Sequence, residues 1–178
     1  SKTSDVISVL AVGRLTYYKG FSDLLHAMRL LPETRLTLVG DGDFREQLKA
    51  LAKELCLGDR VQFIHSCSDE ELADHYASCD ILCMSSIERT EAFGIVLLEA
   101  MRARVPCVVT DVKGSGMRWV VDSPHGGLAA RVGDAKDLAR KISLLSGDPS
   151  LRKRLGEYGR QRFREQFTVE RYAERMNP

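Results

Sequence analysis

A chain of 178 residues has the size of one ordinary domain, and such a length buries roughly two-thirds of the unfolded surface. Lys and Arg number 26 against 25 Asp and Glu, a net charge of +1, so nothing in the bulk charge draws the chain to nucleic acid or to an anionic membrane. No run of about 18 apolar residues is present to span a bilayer, and the polar start Ser1–Asp5 leads straight into a strand, so no signal peptide is expected.

Strands and helices alternate along the chain. The β-branched run over 6–12 reads as the first strand and stops at Gly13. A helix-period segment follows over about 21–31, ended by Pro32, then a strand over 35–39 with Gly40, then a charged amphipathic helix over about 43–55. The third strand is 61–64. Ser68 followed by Glu71 has the spacing of a capping box and opens the next helix. Ile81–Met84 is a fourth strand and 105–109 a fifth, separated by an apolar helical segment, and a short sixth strand includes Leu128–Ala130. Asp134 and Asp148-Pro149 then start two helices that run to about Leu145 and about Phe163. This order predicts an α/β fold: a Rossmann-like, doubly wound parallel sheet of about six strands with helices on both faces. In such sheets ligands bind beyond the carboxyl ends of the strands at the topological switch point. Gly13, Gly40, His65, Ser85 and Thr110 each follow a strand, so the loops they begin share one rim.

Two features on that rim carry chemistry. The first is Gly13-Arg14-Leu15-Thr16-Tyr17-Tyr18-Lys19-Gly20, a strand-to-helix turn with a glycine at each end and two cations five residues apart. Glycine lets backbone approach a ligand closely, helix-start amides favour anions, and Arg and Lys offer a fork and a point charge to phosphate oxygens. A diphosphate suits it. The turn has neither the Walker spacing nor the dinucleotide G-x-G-x-x-G, which disfavours a P-loop enzyme, an NAD dehydrogenase or a sugar epimerase.

The second feature is the pair Glu91 and Glu99, which bracket an otherwise apolar helix over 93–101. Read as a helix buried all round, it would strip Glu99 of water, and an unpaired buried carboxylate is costly. Glu99 therefore needs a fixed partner, on a ligand or on a buried hydroxyl or amide of the protein. Glu91 lies where a positive helix end favours negative charge and caps that helix or faces a ligand.

Gly40 opens a second glycine turn and Lys113-Gly114-Ser115-Gly116 a third, whose amides form a candidate anion nest. Trp119 lies in the short apolar turn Trp119-Val120-Val121 and is read as core. The five cysteines, Cys56, Cys67, Cys79, Cys83 and Cys107, are odd in number and form no C-x-x-C pair; Cys79, Cys83 and Cys107 lie in or beside apolar runs. Free thiols packed as small hydrophobes, and with them a cytoplasmic location, are the expectation. Neither these nor the four scattered histidines have metal-ligand spacing.

In order and spacing, Gly13-Arg14-Leu15 with Lys19-Gly20, then Val61-x-Phe63, then Glu91-x-Phe93-Gly94 with Glu99-Ala100-Met101, then Pro106-x-Val108 resemble the family-4 retaining glycosyltransferases. The resemblance covers nearly the whole chain but only the C-terminal, nucleotide-sugar-binding half of their two-domain GT-B fold. It implies a single donor-binding domain over residues 1–178, with the N-terminal acceptor-binding half outside this chain. It implies metal-independent, retaining transfer of a hexosyl or N-acetylhexosaminyl group from a UDP- or GDP-sugar, with no cofactor, by an enzyme whose isolated half is inactive; the rival is a nucleotide-sugar-binding module that has lost turnover. Any membrane association would run through the absent half.

Residue by residue, the resemblance implies that Arg14 and Lys19 grip the donor diphosphate and offset charge on the leaving nucleotide, with Gly13 and Gly40 among the donor contacts. Glu91 would contact hydroxyls of the transferred sugar, making Arg14, Lys19 and Glu91 the catalytic set. Amides around Phe93, Gly94 and Ile95 would hold phosphate or sugar oxygens, Glu99 the ribose hydroxyls, and the loop from His65 to Cys67 would read the base. The chain departs from the family in Arg104 before Val105-Pro106, in His65 where glycine is usual, and in a loop 114–120 without the common glutamate. That loop resembles a subgroup of surface-polysaccharide transferases.

Overall fold

The computed structural model describes residues 6–89 and 94–168; Glu91 and Phe93, two of the expected site residues, lie outside them. Six strands form one sheet: β1 (Ile7–Val12), β2 (Thr34–Val39), β3 (Val61–Ile64), β4 (Ile81–Met84), β5 (Cys107–Thr110) and β6 (Gly127–Ala130), in the order β3-β2-β1-β4-β5-β6. Every pairing is parallel. The doubly wound parallel sheet expected from the alternation is the sheet observed. The chain leaves β1 toward β2 on one side and reaches β4 on the other, so the switch point lies between β1 and β4, which pair through Val9–Ile81 and Leu10–Leu82.

Seven helices cover the sheet among the described residues: α1 (Phe21–Arg29), α2 (Arg45–Glu54), α3 (Asp69–Ser78), α4 (Gly94–Arg102), α5 (Met117–Val120), α6 (Ala135–Ser146) and α7 (Pro149–Gln166). Successive strand residues point to opposite faces, and the core divides accordingly. Val9, Ala11, Leu36, Leu38, Ile81, Cys83 and Val108 join α1, α2 and α6 on one face. Leu10, Val39, Leu82, Met84, Cys107 and Val109 join α3, α4, α5 and α7 on the other. In α1 the inward residues Phe21, Leu24, Leu25 and Met28 recur at the i, i+3, i+4, i+7 spacing of one helical stripe. Each such side chain contributes about 1.5–3 kcal/mol on burial. Cys83 and Cys107 pack there as small hydrophobes, and burial pushes the Cys83 thiol up to about 12.

Local cap chemistry sets the helix starts. The Ser68 hydroxyl accepts from the Glu71 amide at 3.1 Å while the Glu71 carboxylate accepts from the Ser68 amide at 2.7 Å, completing the expected capping box. Asp134 and Asp148 accept from the amides of Asp137 and Leu151, each at 2.9 Å.

Two expectations are corrected. Trp119 is not core: it is 62% exposed, because the turn is helical and its period sends Met117, Val120 and Val121 inward instead. The indole is left edge-on to Phe167, with the Arg162 guanidinium 5.1 Å above it. Nor is α4 buried all round. Leu97, Ala100 and Met101 face the core, while Ile95 is 73% exposed and Glu99 only half-buried.

Candidate functional site

The loop after β1 is held from both sides. Leu15 is fully buried; its amide donates to the Asp41 carbonyl at 2.9 Å and its carbonyl accepts from the Phe44 amide at 2.9 Å. With Leu15 driven inward, its neighbour Arg14 is thrown outward. A 3-10 turn at Tyr17–Lys19 leads to Gly20, whose φ of 67° starts α1. At Gly20 a Cβ would stand 1.8 Å from the Ser85 carbonyl oxygen, so only glycine admits the loop after β4 so closely. The Ser85 hydroxyl donates to the Lys19 carbonyl at 3.0 Å and the Ile87 amide to the Tyr18 carbonyl at 2.9 Å. The Ser86 carbonyl in turn accepts from Thr110 Oγ1 at 2.5 Å, which ties in the end of β5.

These contacts frame a cleft of about 710 Å³ at the switch point. Val12, Gly13, Arg14, Tyr18 and Lys19 form one wall; Met84, Glu88 and Arg89 form a second; Ile95 and Val96, in the first turn of α4, close the third. Among the described residues, three cations stand against one carboxylate in the lining and no side chain caps the start of α1, which favours anionic ligand groups. The Tyr17 hydroxyl donates to the Glu88 carboxylate across the two loops. Arg89 lies against the third glycine turn, where a Cβ on Gly114 would stand 3.8 Å from its Nη1.

Of the expected site residues, the fold thus brings Gly13, Arg14, Lys19 and Ile95 together in one cleft, with Gly94 opening the helix beside it. Gly40, His65, Cys67 and Glu99 do not line it. Gly40, at φ 149°, packs backbone to backbone, since a Cβ there would stand 1.9 Å from the Gly13 carbonyl oxygen. His65 Nδ1 lies 3.2 Å from Asp41 Oδ1, linking the loops after β3 and β2, with both side chains at least half exposed. The Cys67 thiol is pushed up by burial first and then by the Glu71 and Asp69 carboxylates, so it stays protonated.

Glu99 opens instead on a separate pocket of about 240 Å³ between α3 and α4, shared with Asp69, Leu72, Tyr76 and Arg102. Tyr76, 3% exposed, brings a buried hydroxyl to this pocket, but not at hydrogen-bond geometry to Glu99. The cleft residues Val12, Tyr18, Met84, Glu88, Arg89 and Val96 were not among the expected ones. Glu88 and Arg89 were within reach of sequence reading, because they follow Ser85 on the same strand-end rim.

Comparison with known proteins shows the family and the fold. The profile of the family "Glycosyl transferases group 1" matches residues 2–162. The chain belongs to that family. It is 35% identical over 94% of its length to the lipopolysaccharide core biosynthesis glycosyltransferase LpsE of Rhizobium meliloti, covering 47% of that protein. It is 33% identical to the D-inositol 3-phosphate glycosyltransferase of Streptomyces bingchenggensis, covering 41% of it. Sucrose-phosphate synthase from Thermosynechococcus elongatus superposes with a TM-score of 0.88 at 34% identity, over 97% of this chain and 44% of that one. Anabaena HepE in complex with UDP and glucose gives 0.86 at 25% identity, over 97% and 48%. The chain therefore spans less than half the length of each of these family relatives, and its sheet is the one expected for the C-terminal half of a GT-B fold.

Proposed function

We propose that this chain is the donor-binding half of a retaining glycosyltransferase that moves a hexosyl or N-acetylhexosaminyl group from a nucleoside diphosphate sugar without a metal ion. The single observation that carries the reading is the cleft at the β1/β4 switch point, net positive among its described lining residues, with Arg14 and Lys19 on one wall and the first turn of α4 on another. Bond cleavage leaves charge on the departing diphosphate, and preplaced cations with a helix N-terminus stabilise that charge in the way a metal does in other transferases. In this reading Arg14 and Lys19 act on the leaving group and Glu91 on the transferred sugar. Glu99 takes the ribose diol, and the loop from His65 to Cys67 faces the base.

HepE, solved with UDP and glucose, supports a UDP-sugar as the donor to test first. LpsE, named for lipopolysaccharide core biosynthesis, supports an acceptor in a surface polysaccharide. An N-terminal half outside this chain would hold that acceptor, and the cytoplasm is the expected compartment. Calorimetric titration with UDP, GDP and ADP, each with and without EDTA, tests the reading. One of the three is expected to bind equally well with chelator present. Binding of none, or binding abolished by EDTA, overturns it.

A further inference from the structure

The pocket between α3 and α4 holds an unusual group. Tyr76 is 3% exposed, and its hydroxyl oxygen is buried with no partner at hydrogen-bond geometry among the described residues. Buried hydroxyls are normally satisfied, so an orphan of this kind calls for an explanation. Tyr76 lines the 240 Å³ pocket together with Glu99 of the facing helix. After burial, the Glu99 carboxylate is the next cause that pushes the Tyr76 phenol up, so the hydroxyl keeps its proton at any physiological pH and can act only as a donor toward that carboxylate. Glu99 is half-buried on a helix whose next exposed residue toward the N-terminus, Ile95, lies one turn away on the same side and lines the donor cleft.

We propose that Tyr76 is a positioning residue for Glu99: its buried hydroxyl fixes the carboxylate so that the lone pairs facing the pocket meet both hydroxyls of a ribose. This rests on the donor-site reading given above. A carboxylate offers about four acceptor positions. A diol takes two of them, and a third, facing the protein, is where the phenol donates. Without that donor the carboxylate rotates freely about its last torsion and meets the two ribose hydroxyls in one orientation among many. With it, the side chain is ordered as the ligand binds, and the phenol's unsatisfied donor is satisfied in the same step. Asp69 and Arg102 line the same pocket; Arg102 is exposed and so is a weaker restraint on the carboxylate than a buried phenol.

The test is calorimetry with UDP, GDP and ADP and with the 2′-deoxy form of whichever binds, on the wild-type chain, Tyr76→Phe, Glu99→Gln and the double variant. Tyr76→Phe keeps the ring and deletes one oxygen, and thermal melting verifies that it folds. The expected result is a loss of roughly tenfold in affinity for the ribonucleotide with little change for the deoxynucleotide, so the ribo-to-deoxy preference narrows. In the Glu99→Gln background the same substitution should change neither affinity, which is the signature of coupling through that carboxylate. An equal loss for ribo- and deoxynucleotide, or a loss of the same size in both backgrounds, makes Tyr76 a packing residue and overturns the proposal. So does an unchanged affinity in Tyr76→Phe when the wild-type chain discriminates ribose. A wild-type chain that binds no nucleotide, or binds both forms alike, overturns the assignment of Glu99 and this proposal with it.

Discussion

The Ser85 hydroxyl donates to the carbonyl of Lys19 at 3.0 Å, fastening the loop that carries the cleft's lysine to the end of β4. The two residues stand in the loops that follow β1 and β4, the strands that flank the switch point, so the bond ties together the two loops that carry the cleft's cations. Ser85→Ala should weaken nucleoside diphosphate binding a few-fold and lower stability by about 1–2 kcal/mol, the usual effect of leaving a buried acceptor unpaired. Calorimetry and urea unfolding read the two effects separately.

Gly20 tests the same junction from the other side. Alanine there must hold a φ of 67° and bring its methyl against the Ser85 carbonyl. The left-handed conformation alone costs an L-residue roughly 1–2 kcal/mol, and the clash adds to it. Gly20→Ala should therefore cost more than about 2 kcal/mol in urea unfolding; a neutral result would mean that the two loops do not approach as described.

Arg14→Ala and Lys19→Ala separate binding from catalysis. Charge on the diphosphate grows as the bond to the sugar breaks, so the cations interact more strongly with the transition state than with the bound donor. In the proposed two-domain enzyme each substitution should lower kcat by about 10²–10³ with a smaller rise in donor KM. Glu91→Gln should lower kcat while UDP still binds. The isolated chain should transfer sugar negligibly, because the acceptor oxygen has to be held near the anomeric carbon by the other half. NMR of the product's anomeric configuration checks retention.

Glu99→Gln is expected to weaken nucleotide binding by about 1–3 kcal/mol and to erase the advantage of ribose over deoxyribose, since an amide accepts a diol less strongly than a carboxylate. Parallel titrations of the ribo and 2′-deoxy forms decide between this and a purely structural glutamate.

Asp137 supplies a pH dependence of stability. Its carboxylate accepts from the Arg131 amide at 2.8 Å and from Arg140 Nη2 and Nε at 2.8 and 3.1 Å. The Arg131 hydrogen bond first, and Arg140 after it, hold its carboxyl below the usual aspartate value of 3.8 despite burial. With the folded pKa below the unfolded one, the contribution is complete above the ordinary carboxylate range and is lost as pH falls through the folded value. Asp137→Asn should lower stability at pH 7, and the gap from wild type should shrink in acid. Urea unfolding at pH 7 and near pH 3 checks the sign.

Local rules determined much of this molecule. Strand and helix order follow from side-chain periodicity, the starts of α3, α6 and α7 from Ser68, Asp134 and Asp148, whose cap bonds are made within three residues. The loop from Gly13 to Gly20, which lines the cleft, was legible because its glycines and cations are neighbours in the chain. Tertiary structure decided what those rules cannot reach. Whether Trp119 turns inward depends on which side of a four-residue helix meets the core, and Met117 and Val120 take that side. Glu88 and Arg89 join Arg14 and Lys19 only because β1 and β4 are neighbours in the sheet. Glu99 and Tyr76 line one pocket only because α3 and α4 pack on the same face. Periodicity and caps act over one helical turn, whereas a cleft is made by long-range packing that fixes which strand ends and which helix sides come together.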